Sequence, residues 1–338
     1  MTRFAFVPLL VISAACARGP GVDPDPAADA DIAVPDPDPC SATDPRTVPV
    51  EVLATPEAGE APYLAALDAA TRSIRVQVYL MGAGGILDRL KAKAAAGVDV
   101  RVILDQSKRA TNEKYATQLT AAGAQVIWSD TAFTFTHSKY FVVDDRISVM
   151  STGNYSKQYS IDLERNFVAV DRDPADVADL VALFDADWNR TAPAIDCTRM
   201  IVSPINSRQR ILELIASAET TLTIESMQFA DTEVREAVAA RITAGVDVRV
   251  LLADASWIDA NATAATFLQD RGVTVKWIPH LHTKAIVADG VRAYVGSENL
   301  SWTSLTKNRE VGVIVVEDSS IEPISATFEE DWAAGTLF

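Results

Sequence analysis

The sequence contains an internal duplication, and this repeat constrains the fold more than any other feature. The heptapeptide Ala-Gly-Val-Asp-Val-Arg-Val occurs at residues 96–102 and again at residues 244–250. A second match relates residues 122–128 to residues 271–277, and both of these segments end in Trp. The chain of 338 residues is long enough for two domain-sized units. We therefore expect two homologous halves built on one plan.

The two halves, predicted at residues 47–192 and 198–338, each alternate strands with helices. Residues 73–80 have the two-residue alternation of a strand, residues 86–96 have helical periodicity, and residues 97–105 form a Val-rich second strand. A Gly ends each helix before the next strand begins. This order is typical of a mixed or mostly parallel sheet covered by helices on both faces. The predicted fold class is α/β, with two tandem α/β/α sandwich halves related by a pseudo-twofold axis.

The amino-terminal segment has the pattern of an export signal. Arg3 precedes a short apolar run and small residues follow up to Ala17, so residues 1–17 are predicted to be a secretory signal. The segment also resembles a bacterial lipoprotein signal in which Cys16 is lipidated, although Ser13 stands where Leu is usual. A buried amino-terminal strand is the alternative. We expect an exported protein, either secreted or held as a periplasmic or outer-membrane lipoprotein.

The segment that follows the predicted signal is polar. Residues 18–46 are rich in Asp, Pro and Ala, which predicts a disordered and extended linker. In an oxidising compartment Cys40 and Cys197 are candidates for a disulfide, and two unrelated free thiols are the alternative. Three cysteines in the whole chain exclude a four-Cys zinc site.

Composition narrows the class of partner. The chain has 30 Lys and Arg against 46 Asp and Glu, a formal charge of −16 at pH 7, which disfavours binding to nucleic-acid backbones. Hydrophobic residues make up 49% and charged residues 22%, as in globular proteins, and no run of 18 apolar residues predicts a transmembrane span. Because a duplicated chain can complete a two-part pocket by itself, we expect a monomer.

Two of the three histidines lie in the same motif, once in each half. His137-Ser-Lys139 is followed after four further residues by Asp144. His282-Thr-Lys284 is followed in the same way by Asp289. A small polar turn after each motif supplies further candidate residues: Thr152 and Asn154 in the first half, and Ser297 and Asn299 in the second.

The spacing within the motif predicts a pocket. Residues i and i+2 of a strand project to the same face, so the His and the Lys of each motif project together. Turns at Asp144 and Asp289 reverse the chain, and the return strands deliver Asn154 and Asn299 to the His-Lys end. Two such clusters facing each other make one locally cationic pocket that suits a phosphate group.

On these residues the chain resembles the phospholipase D superfamily, whose hallmark is a duplicated His-x-Lys-x4-Asp motif. The resemblance covers residues 50–335, and the second motif continues to Asn308-Arg309-Glu310 as in the family. The first motif departs slightly from the family pattern, with Ser151-Thr152 where Gly-Ser or Gly-Thr is usual. Asn166 lies roughly where the second half has Glu310.

The resemblance implies phosphodiester cleavage through a covalent phosphohistidine, without a metal or another cofactor. It assigns the nucleophile to His137 and the general acid to His282. Four side chains would hold the non-bridging oxygens, with Thr152 and Ser297 assisting: Lys139, Lys284, Asn154 and Asn299.

Two smaller questions stay open at the level of sequence. Asp144 and Asp289 are candidates for supporting the histidines through the far ring nitrogen, and hairpin-turn residues are the alternative. His280 lies two residues before His282, so a His-x-His metal pair is conceivable, but without a third nearby ligand the sequence favours no metal.

The predicted substrate is a phospholipid at a membrane surface, hydrolysed or transferred at its head group. The export signal, the possible lipid anchor and the acidic charge favour this interpretation. An exported nuclease or nucleotide phosphodiesterase of the same superfamily is the alternative, and the lack of a Lys/Arg run disfavours it. A non-catalytic phosphate-binding protein is a third possibility, disfavoured because both motifs are intact.

Overall fold

The computed structural model describes residues 41–338. The predicted signal at residues 1–17 and residues 18–40 of the predicted linker lie outside the described residues, as do Cys16 and Cys40. Cys197 is disulfide-bonded. The partner expected from the sequence, Cys40, is among the residues outside the description.

The first half forms a seven-stranded sheet with four helices. The strands lie in the order β1-β7-β6-β5-β2-β3-β4, in which β2, β3 and β4 are parallel and the other neighbours are antiparallel. In chain order the elements are β1 (Glu51–Thr55), α1 (Ala61–Asp68), β2 (Ser73–Val78), α2 (Gly85–Ala95), β3 (Asp99–Leu104), α3 (Arg109–Ala121), β4 (Gln125–Trp128), β5 (Lys139–Val143), β6 (Ile147–Ser151), β7 (Asn166–Asp171) and α4 (Pro174–Asn189).

The second half forms an eight-stranded sheet with five helices. Its strand order is β15-β11-β10-β9-β12-β13-β14-β8. In chain order the elements are β8 (Met200–Ser203), α5 (Ser207–Ala216), β9 (Thr221–Ser226), α6 (Thr232–Thr243), β10 (Asp247–Ala253), α7 (Ala260–Gln269), β11 (Thr274–Ile278), β12 (Lys284–Ala288), β13 (Arg292–Gly296), α8 (Trp302–Thr306), β14 (Glu310–Val315), α9 (Asp318–Ala334) and β15 (Thr336–Leu337).

The two sheets repeat one topology. The order β7-β6-β5-β2-β3-β4 in the first half corresponds strand for strand to β14-β13-β12-β9-β10-β11 in the second. The strands β1 and β8 also correspond, because each pairs antiparallel with the last motif strand of its half. The predicted class, α/β with two homologous halves, is confirmed, and the sheets are mixed.

Each half has its own core, and a further core joins the halves. Phe141 and Val143 of β5 lie in the first core, while the alternate residues Tyr140 and Val142 lie in the shared core. The shared core also takes Val287 and its neighbours from β12 of the second half. The motif strands β5 and β12 are therefore buried on both faces, which fixes their position relative to the rest of the protein.

The predicted hairpin turns after the motifs are present. Asp144 and Asp145 have φ of 53° and 57°, and Asp289 and Gly290 have φ of 53° and 67°. Two successive left-handed residues make the tight turn whose twist matches antiparallel strands, and Asp and Gly tolerate this conformation. The turns bring β6 and β13 back alongside β5 and β12.

The end of the predicted linker is part of the fold, which corrects the boundary drawn from composition. Arg46 is 6% exposed, its Nε donates to Asp176 of α4 at 2.6 Å, and its Nη1 donates to the carbonyl oxygen of Ile314 at 2.7 Å. The composition of residues 18–46 describes the segment as a whole, so it did not predict that its last residue, Arg46, forms a buried ion pair.

None of the helices within residues 41–338 combines the length and the apolar character needed to cross a bilayer.

Candidate active site

The backbone of each half aligns the histidine of the other half. His137 N donates to the carbonyl oxygen of Arg309 at 2.8 Å, and His282 N donates to that of Arg165 at 3.1 Å. The two arginine amides donate in return to the residues two positions before each histidine. These parallel bridges cross between the halves, so the two motifs are placed against each other by main-chain hydrogen bonds.

A carboxylate of the second half orients His137. The Nδ1 atom of His137 lies 2.9 Å from Oε2 of Glu310. Oε1 of Glu310 accepts from Ser304 Oγ at 2.7 Å and from Asn308 Nδ2 at 2.9 Å. Burial alone would raise the pKa of Glu310, but His137 and Lys139 outweigh it and lower that pKa. Glu310 is therefore ionised at neutral pH, His137 Nδ1 carries the proton, and Nε2 keeps a lone pair.

An amide of the first half orients His282. The Nδ1 atom of His282 lies 2.9 Å from Oδ1 of Asn166. Asn166 Nδ2 donates to the carbonyl oxygen of Ser160 at 3.0 Å, and Thr152 Oγ1 donates to Asn166 Oδ1 at 2.8 Å. These bonds make Oδ1 the atom that faces the ring, and because an amide oxygen accepts, we assign the proton of His282 to Nδ1. Lys284 Nζ lies 3.0 Å from the same nitrogen. Among the described residues, the buried Nε2 of His282 has no hydrogen-bond partner, and this atom is available to a substrate.

The two lysines lie beside the histidines of their own motifs, as the spacing predicts. Lys139 Nζ donates to the carbonyl oxygen of His137, and Lys284 Nζ donates to that of His282. Lys284 also donates across the halves to the carbonyl oxygen of Thr152 at 3.2 Å. Both lysines are 1% exposed, so their charges act in a site with little water to screen them.

The charges of the two motifs influence one another. Burial, followed by the positive charges of Lys284, Lys139 and His137, lowers the pKa of His282 well below its usual value. Burial also lowers the pKa of His137 to about 4; Glu310 opposes this shift, while Lys139 and Lys284 contribute to it. The lysine of each half thus lowers the pKa of the histidine of the other half, in agreement with the contact of Lys284 with Thr152 and the backbone bridges between the halves.

The hydroxyl groups of Thr152 and Ser297 bind the partners of the histidines. Thr152 Oγ1 contacts Asn166, and the hydroxyl of Ser297 hydrogen-bonds Glu310 and contributes to lowering its pKa. Both residues are fully buried. In this structure their hydroxyls contact the residues that orient the histidines, and the expectation that they assist at the phosphate oxygens stays a prediction.

The two turn asparagines are held in equivalent ways. Asn154 N donates to Ser160 Oγ, and Asn299 N donates to Ser304 Oγ, each at 2.9 Å. The Oδ1 atom of Asn299 is buried and lacks a hydrogen-bond partner within residues 41–338. A group with one unsatisfied atom next to a cationic pocket is a candidate for contact with a bound substrate.

Asp144 and Asp289 lie at the far ends of the motif strands, away from the histidine rings. Asp144 accepts hydrogen bonds from the backbone amides of Thr71, Arg72 and Ser73, each at 2.8 Å. Asp289 makes the equivalent bonds to the amides of residues 219–221. The expectation that they orient the histidines is corrected, since Glu310 and Asn166 occupy that position. The alternative, a structural role at the hairpin turn, agrees with these contacts.

Aromatic rings form part of the pocket wall. The ring centroid of Tyr79 lies 4.6 Å from that of His137 in an edge-on arrangement, and Trp257 lies 6.3 Å from His282. Lys108 lies 5.5 Å from the Tyr79 centroid and 5.8 Å from that of Phe135.

Within residues 41–338 no group of three or more His, Cys, Asp or Glu side chains is arranged to hold an ion. His280 is exposed, and its carbonyl oxygen accepts the amide of Arg165.

The arrangement can bind an anion and exchange protons at two imidazoles. Each ring has Nδ1 fixed by a partner, which leaves Nε2 as its reactive atom. Sequence reasoning placed Asn166 at the position corresponding to Glu310 but gave neither residue a role, and it missed Glu164, whose Oε2 lies 3.9 Å from His282 Nδ1. Aligning the whole segment Glu164-Arg165-Asn166 with Asn308-Arg309-Glu310 was the signal that could have found Glu164.

Comparison with known proteins agrees with the repeated architecture. A family model described as "Cardiolipin synthase, PLD-like domain" matches residues 63–188 and again residues 211–332. Each match falls within one half of the chain.

Curated relatives include enzymes of lipid and of nucleic-acid chemistry. The probable cardiolipin synthase YwiE of Bacillus subtilis is 24% identical over 306 residues, which cover 76% of this chain and 61% of that protein. The 5'-3' exonuclease PLD4 of Mus musculus is 38% identical over 81 residues, 23% of this chain and 16% of that protein. The chain thus spans about three fifths of the length of its cardiolipin synthase relative.

A solved structure shares the fold over nearly the whole chain. Phosphatidylserine synthase from Haemophilus influenzae Rd KW20 superposes with a TM-score of 0.69 and covers 88% of each chain. Its sequence identity is 14%, so this likeness concerns the fold alone.

Proposed function

The chain belongs to the cardiolipin synthase, PLD-like domain family, and from this premise we propose that it is a phosphodiesterase that cleaves or transfers the phosphatidyl group of phospholipids. The observation that carries the proposal is the meeting of the two motifs across the halves, where each imidazole is oriented by a residue of the other half and has a buried lysine beside it.

In the first step the lone pair of His137 Nε2 attacks phosphorus. A P–N bond forms as the P–O bond to the head-group alcohol breaks, and the departing oxygen takes a proton from Nε2 of His282. The positive charge that develops on the His137 ring is balanced by the Glu310 carboxylate, 2.9 Å from Nδ1.

In the second step a water molecule or an acceptor alcohol attacks phosphorus. His282 Nε2 takes the proton from the attacking oxygen, the P–N bond breaks, and its electron pair returns to His137. Water gives hydrolysis and an alcohol gives transfer.

The non-bridging phosphate oxygens are bound by the buried cations. Lys139 and Lys284 supply positive charge beside the two rings, and Asn154 and Asn299 supply amides from the turns. Preorganised donors in a site of low dielectric stabilise the charge of the transition state. The catalysis proposed here involves no metal ion.

Lipid is favoured over nucleic acid as the substrate class. The net charge of −16 disfavours a polyanion with many phosphates, whereas a lipid presents one phosphodiester to the pocket. Similarity to the cardiolipin synthase relative covers 76% of the chain, whereas similarity to 5'-3' exonucleases covers between 22% and 42% of it. Export to the cell envelope, inferred from residues 1–17, would bring the protein to a membrane surface.

The test is a paired assay of the full chain in EDTA. Vesicles containing phosphatidylcholine, phosphatidylethanolamine and phosphatidylglycerol are one substrate, and a single-stranded DNA oligonucleotide is the other. We expect release of choline, ethanolamine or glycerol, and transfer products when an acceptor alcohol is added. Degradation of DNA with all lipids intact would reverse the choice of substrate.

Matched histidine variants locate the chemistry. His137→Ala is expected to remove the activity, because the proposed reaction needs both oriented imidazoles, one as nucleophile and one as acid. His280→Asn is the control, because His280 is exposed and Asn tolerates its φ of 58°. Equal loss of activity in both variants would contradict the assignment.

A further inference from the structure

The pseudosymmetry of the site is broken by an exchange of two side chains. The segment before and at the start of β7 reads Glu164-Arg165-Asn166, and the corresponding segment at β14 reads Asn308-Arg309-Glu310. In both halves the central Arg pairs through its backbone with the motif of the other half. The carboxylate and the amide therefore occupy opposite positions on the two sides of the Arg in the two halves, while the backbone contacts are the same.

The exchange gives the two histidines different partners. His137 has a carboxylate at hydrogen-bond distance, whereas His282 has an amide at the same 2.9 Å. A carboxylate compensates a full positive charge on an imidazole, and an amide oxygen compensates only part of one. The ring that becomes a cation by forming a bond to phosphorus needs the full charge beside it.

The carboxylate of the first half, Glu164, lies near His282 but beyond hydrogen-bond distance of its ring. Glu164 Oε2 lies 3.9 Å from His282 Nδ1 and accepts a hydrogen bond from Ser160 Oγ at 2.6 Å. At this distance it acts on His282 as a charge rather than as a hydrogen-bond acceptor. Burial raises the pKa of Glu164, while the positive charges of Lys284 and Lys139 oppose that shift. The same two lysines, together with His137, oppose protonation of His282.

We propose that this exchange assigns the roles of the two histidines, with Glu310 supporting His137 as nucleophile and Glu164 acting as a positioning residue that lets His282 carry its proton transiently. The inference rests on the proposed function and deepens it. Glu164 touches neither the substrate nor the reacting atoms, and it acts through His282.

Substrates with different leaving groups separate this role from a structural one. An alkyl alcohol such as choline needs a proton as it departs, whereas p-nitrophenolate leaves without one. Phosphatidylcholine vesicles and bis(p-nitrophenyl) phosphate are therefore the two probes, used with the full chain. Glu164→Gln is expected to lower kcat on phosphatidylcholine about 10-fold and to change the rate on the nitrophenyl ester by less than about 3-fold.

Glu310→Gln is the matched variant on the other histidine. Both substrates form the same bond to His137, so we expect about a 100-fold loss or more on both of them. Equal effects of Glu164→Gln on the two substrates, or no effect on either, would overturn the role given to Glu164.

A complete exchange tests the assignment directly. The variant E164N/N166E/N308E/E310N places the carboxylate beside His282 and the amide beside His137. We expect the phosphohistidine, trapped with the nitrophenyl ester and located by peptide mass spectrometry under alkaline conditions, to move from residue 137 to residue 282. A label that stays on residue 137 in the folded variant would overturn the inference.

These experiments also distinguish failure of the role given to Glu164 from failure of the proposed phosphodiesterase activity. Absence of a labelled histidine and of turnover in the wild-type protein overturns both. Turnover with a labelled His137, but with Glu164→Gln indistinguishable from wild type, overturns the inference alone. If the fourfold variant does not fold, the leaving-group comparison of the two single variants still decides the matter.

Discussion

Glu225 in β9 and Asp331 in α9 face each other as two buried carboxyl groups, whereas the corresponding residues of the first half are Gln77 and Asp187. Gln77 Nε2 donates to Asp187 Oδ2 at 3.0 Å, so that pair is satisfied without a shared proton. Burial first, and the Asp331 carboxylate next, raise the pKa of Glu225 well above its usual value. The second half therefore holds a carboxyl whose neutral form is favoured where the first half holds an amide.

This difference predicts that Glu225→Gln stabilises the protein increasingly as the pH rises. A group whose pKa is raised by folding contributes its full stability below its unfolded pKa, here 4.5, and loses that contribution as the pH increases. We expect similar free energies of unfolding for the variant and the wild type near pH 4. Above that pH the variant gains up to about 1.4 kcal/mol per pH unit until the folded pKa is reached.

Denaturant unfolding between pH 4 and pH 9 measures the difference. Gln77→Glu is the control, because it creates a carboxyl pair in the first half and should destabilise increasingly with pH. A constant difference between Glu225→Gln and the wild type at every pH would show that Glu225 is not held protonated.

Asp144→Asn is expected to lower stability and to leave catalysis nearly unchanged. Hydrogen bonds from Thr71, Arg72 and Ser73 outweigh burial and hold the pKa of Asp144 at about 2. Asn retains the turn, since it tolerates the φ of 53°, but it removes the charge from these bonds. We expect a loss of about 2 kcal/mol in the free energy of unfolding at pH 7.

The difference in stability between wild type and Asp144→Asn should depend on pH. A pKa lowered by folding stabilises the protein above the unfolded value of 3.8, and that contribution disappears as the pH falls toward 2. The gap between wild type and variant should therefore narrow below pH 4. A loss of more than about 100-fold in kcat/KM in folded Asp144→Asn would contradict the prediction and would show that this carboxylate contributes to catalysis.

The rate should have an acidic optimum. The nucleophile must be neutral, and the pKa of His137 is lowered to about 4, while the acid must be protonated, and the pKa of His282 lies well below 6.5. Both limbs of the kcat/KM profile then fall below pH 6.5, and the rate declines about tenfold per pH unit on the alkaline side. A bound anionic phosphate raises the pKa of His282, so the alkaline limb of kcat lies at higher pH.

Steady-state rates on phosphatidylcholine from pH 4 to pH 9 test this expectation. Circular dichroism at each pH separates unfolding from titration. An optimum above pH 7.5 in kcat/KM would contradict the assigned protonation states.

Reduction should destabilise the protein through Cys197. This residue is disulfide-bonded, and removing such a cross-link typically costs about 2–4 kcal/mol. Thermal unfolding with and without dithiothreitol measures the effect. Cys197→Ser should have the Tm of the reduced wild-type protein both with and without dithiothreitol. A wild-type Tm that does not change when the reductant is added would contradict the prediction.

Local pattern determined the class of fold and the position of the reactive motifs. The helix predicted at residues 86–96 is present as α2, Gly85–Ala95. It was predictable because helical periodicity depends only on residues that are near one another in the sequence. The turns after β5 and β12 were predictable for the same reason, since Asp and Gly at successive left-handed positions act locally.

Only the tertiary structure decided what orients each histidine. Glu310 and His137 are separated by 173 positions in the chain, and Asn166 and His282 by 116. The motif carboxylates Asp144 and Asp289, which are nearest in sequence, lie at the opposite end of a strand and bind backbone amides instead. Periodicity reports which face of its own element a side chain occupies, whereas the partner across an interface depends on how two elements pack, and that packing is a property of the folded chain.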